Sequence, residues 1–137
     1  MNTVVWGFIS FIGAFIALML FVNLKVVLAG RKRIGTEVPQ ISGKVGKRVS
    51  DGDAVCFYFF SPMCGACKTM TPMFESLQPH YPDVIQVVNI QNNSENAKKL
   101  GVQATPTTVM VRHGKIAHFI VGVRPKSRIE TLLKSMG

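Results

Sequence analysis

The residues best suited to chemistry are Cys64 and Cys67, set in the run Cys64-Gly65-Ala66-Cys67. A thiol attacks only as its thiolate, so a redox site needs something that stabilises negative sulfur. The first turn of a helix supplies it, through N–H groups that lack intrahelical partners and a partial positive charge. Cys64 falls where a strand-like apolar run gives way to helical spacing. This predicts an exposed first cysteine at a helix start, with Cys67 three residues on, on the same side and within bonding distance. Lys68 adds positive charge nearby. Such a pair performs dithiol–disulfide exchange: Cys64 attacks a substrate disulfide, and Cys67 then attacks the mixed disulfide to release the product. Met63 adjoins the nucleophile and is a candidate substrate contact.

Other residues read more plainly. Three cysteines are too few for a disulfide scaffold, and Cys56, inside an apolar run, reads as a small core hydrophobe. A zinc site from the Cys64/Cys67 pair with His113 and His118 has suitable pair spacings, but the gap between the pairs far exceeds that of a finger, so no metal is expected. No motif for nucleotide, flavin or metal appears, so no cofactor is expected beyond the Cys64–Cys67 disulfide itself. Its electrons then come from a protein donor, either a reductase or a membrane electron carrier.

The elements that must position this pair follow from periodicity. Ala54–Phe60 is short, apolar and rich in aromatics, bounded by Asp51-Gly52-Asp53 and Ser61-Pro62, as a buried central strand would be. From Gly65 the stripe Met70, Met73, Phe74, Leu77 predicts a helix bent at Pro72 and ending near Pro79. Val84–Ile90 reads as a strand, and Glu95–Leu100 as a short helix capped by Ser94 and ended by Gly101. Thr107–Val111 and Lys115–Val121 read as a hairpin through His113-Gly114. Pro125 opens a last helix to Met136, with Ile129, Leu132 and Leu133 inward. The order is β, α, β, α, β, β, α.

Ahead of this domain, Met1 to Leu24 holds no Asp, Glu, Lys, Arg or His, and Val4–Val22 is almost wholly apolar. About 20 residues cross a bilayer's hydrocarbon core as a helix. The run lacks the basic start and small-residue site of a cleaved signal, and a helix apolar on every face would need a larger soluble protein to cover it. The reading is therefore a membrane anchor over 1–30, a basic juxtamembrane linker over 31–50 with one short edge strand near Val38–Ile41, and a folded domain over 51–137. Of the net charge of +9, residues 25–48 carry seven Lys or Arg against Glu37 alone. Charge gathered beside an apolar span points to anionic membrane lipid as a partner and away from nucleic acid. Lys25, Arg31, Lys32 and Arg33 follow the span, so the positive-inside rule predicts a single-pass protein of the cell membrane whose domain faces the cytoplasm; an extracytoplasmic, periplasmic domain is the alternative.

Cys64-Gly-Ala-Cys67-Lys68 with Pro72, then Val-Val-Asn-Ile, Ala-Thr-Pro-Thr, His-Gly-Lys and Val-Gly, in that order, resembles the thioredoxin family over about residues 53–136. The resemblance implies an α/β, thioredoxin-like fold, a central mixed sheet flanked by helices, here preceded by one transmembrane helix. It also implies a cis Thr105-Pro106 bond beside the dithiol, and a substrate rim of Met63, Gly65, Ala66, Thr105, Pro106 and Gly122. Two features depart from the family. Met63 and Ala66 replace its usual Trp and Pro. Tyr58 and Val87 replace the buried Asp and Lys that help move the second thiol's proton. The resulting expectation is a membrane-tethered enzyme that reduces or exchanges disulfides in partner proteins. The alternatives are an exported thiol reductant in a pathway resembling cytochrome assembly, and a non-catalytic membrane-bound binding or assembly factor on the same fold.

Overall fold

The computed structural model describes residues 2–137. Its elements run α1 (Asn2–Arg31), α2 (Lys44–Ser50), β1 (Val55–Phe60), α3 (Cys67–Leu77), one 3-10 turn (Gln78–His80), β2 (Ile85–Asn89), α4 (Ser94–Leu100), β3 (Thr107–Arg112), β4 (Lys115–Val121) and α5 (Lys126–Met136). From β1 onward this is the predicted order. The strands lie in the order β2-β1-β3-β4, with β1 parallel to β2 and antiparallel to β3, and β3 antiparallel to β4. The β3–β4 turn forms because His113 and Gly114 both take positive φ, 52° and 70°.

The central strand is buried on both faces, and its alternation sorts the core into two layers. Val55, Phe57 and Phe59 pack with Val109, Val111, Ile116 and Leu100 on one side. Cys56 and Tyr58 pack on the other with Met110, with Met70, Phe74 and Leu77 from α3, and with Ile129 and Leu133 from α5. Helix α3 starts at Cys67 rather than Gly65 and continues through Pro72. Ser94 is the first residue of α4, with Asn93 at the N-cap making no side-chain cap bond; Gly101 ends the helix at φ 75° as expected.

The stretch read as a linker, 31–50, is corrected by the structure. It contains α2 and contributes Ile41 and Val49 to the core, at 6% and 4% exposure. The segment is pinned from both sides. The Ser42 N–H donates to Asn96 Oδ1 at 3.3 Å, and a β-carbon on Gly46 would run into the Ile41 carbonyl. The edge pairing expected near Val38–Ile41 falls slightly earlier. Gly35 N–H donates to Ile116 O, Ile116 N–H to Thr36 O and Val38 N–H to Gly114 O, so this segment runs antiparallel along the free edge of β4.

Among the described residues α1 is the one helix long and apolar enough to cross a membrane, with mean hydropathy 2.4 over its best window and none of that window buried. Its last turns dock on the domain. Gly30 is buried against the Phe119 ring, where no β-carbon would fit.

Candidate active site

The sheet brings three strand ends together. Phe60 at the end of β1 leads through Ser61–Ala66 into α3, β3 begins just after Pro106, and Val121 at the end of β4 lies opposite Thr107. At this junction Cys64 and Cys67 form a disulfide, with Cα atoms 5.3 Å apart. Cys64 is half-buried and Cys67, facing the core, is 2% exposed. The asymmetry follows from position: Cys64 precedes the helix, while Cys67 begins it on the side of Met70 and Phe74.

One donor expected at the first sulfur is in place. The Cys67 N–H, in the first turn of α3, points at Cys64 Sγ with N···S 3.2 Å. An amide donor aimed at sulfur favours the negative form. On the other side Cys64 Sγ lies 3.4 Å from the Thr105 carbonyl oxygen, an acceptor for the reduced thiol. The Thr105-Pro106 bond is cis, and Gly122 N–H donates to Pro106 O at 2.8 Å. Gly122 sits at φ 89°, which a side chain would strain, so the surface beside Pro106 stays low.

All eight residues expected at the site thus meet at one end of the sheet or on the adjoining loops. Met63 is 86% exposed, and Gly65 and Ala66 are also exposed; Thr105 and Gly122 are half-buried and Pro106 is buried. His113 and His118 do not join them. His113 is at the far end of β3, six residues from Thr107 or about 20 Å along a strand. Among the described residues no three His, Cys, Asp or Glu side chains group as metal ligands.

Beneath the disulfide stands Tyr58, wholly buried and stacked on Phe74 with ring centroids 4.2 Å apart. Its hydroxyl pairs with Thr71 Oγ1 at 2.9 Å and reaches the Cys67 carbonyl at 3.5 Å. Burial raises the Tyr58 pKa above its ordinary value; the Thr71 bond lowers it and the Glu75 charge raises it. The phenol is therefore neutral near pH 7 and joins β1 to α3 through its bond with Thr71. Thr71 escaped the sequence reading. Its signal was the four-residue spacing from Cys67, which puts both on one helix face. Cys56, fully buried on β1, has its thiol pushed up to about 12 by burial and stays protonated.

The thioredoxin family model matches residues 43–135, more than half of the chain. The chain belongs to the thioredoxin family. Thioredoxin of Bacillus subtilis (strain 168) is 34% identical over 77 residues, covering 55% of this chain and 74% of that protein. Thioredoxin of Haemophilus influenzae is 27% identical over 77 residues, covering 55% and 72%. Among solved structures, Fasciola hepatica thioredoxin superposes with TM-score 0.59 at 26% identity, over 69% of this chain and 89% of that one. Reduced Schistosoma mansoni thioredoxin pre-protein gives TM-score 0.59 at 26%, over 70% and 92%. Family membership and the Cys64–Cys67 disulfide make this chain a thiol–disulfide oxidoreductase. The family match begins at 43, so α2 lies inside this thioredoxin domain, and α1 with the edge segment precedes it.

Proposed function

We propose that this chain is a membrane-tethered reductase of protein disulfides, with α1 as anchor, Cys64 as nucleophile and Cys67 as resolving thiol. The observation that carries the assignment of roles is the asymmetry of the pair: Cys64 is the accessible sulfur and receives the Cys67 N–H, whereas Cys67 is buried.

The cycle balances without a bound cofactor. The Cys64 thiolate attacks one sulfur of the substrate disulfide; that bond breaks, and the second substrate sulfur leaves as a thiolate that takes a proton from water. Cys67, losing its proton, attacks Cys64 Sγ, and the first substrate sulfur leaves as the second thiol. Two electrons pass to the substrate, and the Cys64–Cys67 disulfide that remains is reduced by a donor protein's dithiol. Tyr58 is neutral and stands where the family places an acid, so the Cys67 proton goes to water or to the departing substrate thiolate. Met63, Gly65, Ala66, Thr105, Pro106 and Gly122 form the rim that an extended substrate segment crosses. Lys25, Arg31, Lys32 and Arg33, following the apolar span, favour a cytoplasm-facing domain.

The test is membrane-impermeant maleimide applied to intact and then opened cells after reduction, reading the mass of the Cys64 peptide. Labelling only in opened cells is the expected result. Labelling of intact cells would overturn the orientation and favour an exported reductant, and recovery of the chain in the soluble fraction would overturn the anchor.

A further inference from the structure

We infer that the Cys64–Cys67 end of the domain faces the membrane, so that its substrates are disulfides of integral membrane proteins lying at the membrane–water interface. The inference rests on reading α1 as the anchor and adds the direction in which the anchor leaves the domain.

That direction is read from β4. Val38 bonds Gly114, Thr36 and Gly35 bond Ile116, and Gly30 lies against Phe119. Further back, Val27 and Arg31 share an open groove with Val121 and Arg124. Each step toward the N-terminus of α1 is thus a step along β4 toward Gly122, the end that carries the site. A second groove agrees. Lys25, Leu28, Ala29 and Lys32 share a groove with Gln103, two residues before Thr105, whose carbonyl lies 3.4 Å from Cys64 Sγ.

The heights match. From Gly30 back to Lys25, the first charge after the apolar span, is five residues of helix, or about 8 Å. From Phe119 on to Gly122 is three residues of strand, or about 10 Å. With α1 taken as running alongside β4 beyond the Gly30–Phe119 contact, the Gly122 rim comes about level with Lys25, the first charge after the apolar span. The rim is suited to the headgroup layer. Met63 and Val123 are large exposed apolar residues, at 86% and 42%, and Arg124, Lys126 and Arg128 add cations to those of α1. The opposite end of the domain, around Lys115 and the β3–β4 turn, points away.

The junction also limits swivel. Besides the Gly30–Phe119 contact, the Arg33 guanidinium, in the turn after α1, lies over Gly101 at the end of α4 in the space a β-carbon would take. A dithiol held this way reaches sulfur close to the bilayer and is kept from disulfides farther out.

Full-length protein in vesicles of phosphatidylcholine and phosphatidylglycerol, some with a spin label on the headgroup, tests the geometry. A fluorescent maleimide is placed at Cys64 in Cys67→Ser, at position 63 in Met63→Cys with both site cysteines changed to Ser, or at position 115 in Lys115→Cys with the same two changes. Quenching by the headgroup label at least threefold stronger at 64 and 63 than at 115 is expected; equal or stronger quenching at 115 overturns the inference. Co-flotation with the vesicles reports the anchor separately: protein that floats with a poorly quenched Cys64 probe leaves the proposed function standing and sinks only this inference, whereas protein that fails to float sinks both. For the substrate class, the dithiothreitol-reduced wild-type chain is mixed with a transmembrane peptide whose disulfide lies beside the bilayer or beyond a long rigid spacer. Reduction at least tenfold faster beside the bilayer is expected, and equal rates overturn the assignment.

Discussion

Replacing Tyr58 by Phe isolates one hydroxyl at the floor of the site. The ring keeps its burial and its stack on Phe74, so the void left is one oxygen atom in size and no apolar contact is lost. What disappears is the 2.9 Å bond with Thr71 Oγ1 and the weaker 3.5 Å reach to the Cys67 carbonyl. A net intramolecular hydrogen bond contributes about 1 kcal/mol, and half-exposed Thr71 regains water, so about 1 kcal/mol of stability is lost. For a domain of this size that lowers Tm by about 4–8 °C. Activity should respond differently. Because burial holds the phenol above its ordinary pKa, it is not a proton acceptor near pH 7, and turnover on a disulfide substrate should change by less than about threefold. Thermal melts of the full chain in detergent give the first number, and insulin-disulfide reduction between about pH 6 and 9 gives the second. A loss of about 100-fold, the scale of a missing general base, or a displaced pH midpoint would refute the reasoning and make Tyr58 the proton acceptor for Cys67.

Gly46→Ala pushes a β-carbon into the Ile41 carbonyl and should cost about 1–3 kcal/mol in urea unfolding, whereas the same change at Gly7, which meets nothing, should leave the domain's unfolding unaltered. Gly30→Leu drives a side chain into Phe119 and should lift α1 from β4, narrowing the difference in headgroup quenching between positions 63 and 115 with little loss of activity on a soluble disulfide. Cys56 in the folded chain titrates at about 12 against an ordinary 9.0, so the unfolded chain ionises first. Its contribution to stability is complete below about pH 9 and is lost as pH rises toward 12; urea melts at about pH 8 and 10 should show a fall that is shallower in Cys56→Ala.

Much of this structure is legible in the sequence because its signals are local and strong. The aromatic run of β1, the stripe Met70, Phe74, Leu77, the Gly101 stop and the His113-Gly114 turn each produce the expected element. The sulfur pair is legible because its motif falls at a strand-to-helix junction, whereas Thr105, Pro106 and Gly122, about 40 to 60 residues farther on, are reached only through the family resemblance. What was missed depends on contacts distant in sequence. Helix α2 is seven residues of Lys, Gly, Val, Arg and Ser that read as a tether; only the packing of Val45 and Val49 with Ile41 and α4 makes it part of the core. The Thr71–Tyr58 bond joins residues 13 apart, across a helix–strand interface that periodicity does not register. Nothing in the sequence singles out Gly30, and only Phe119, 89 residues away, shows it to be a docking point.

The central claim is that a Cys64 thiolate opens the substrate disulfide and Cys67 resolves the adduct. The most direct measurement uses purified full-length Cys67→Ser and Cys64→Ser, each reduced, freed of reductant and mixed with one defined protein disulfide, with products read by intact mass. Cys67→Ser should accumulate a reductant-sensitive one-to-one adduct mapped to Cys64, and Cys64→Ser should form none and turn nothing over. An adduct on Cys67, or turnover that survives in Cys64→Ser, would contradict the account.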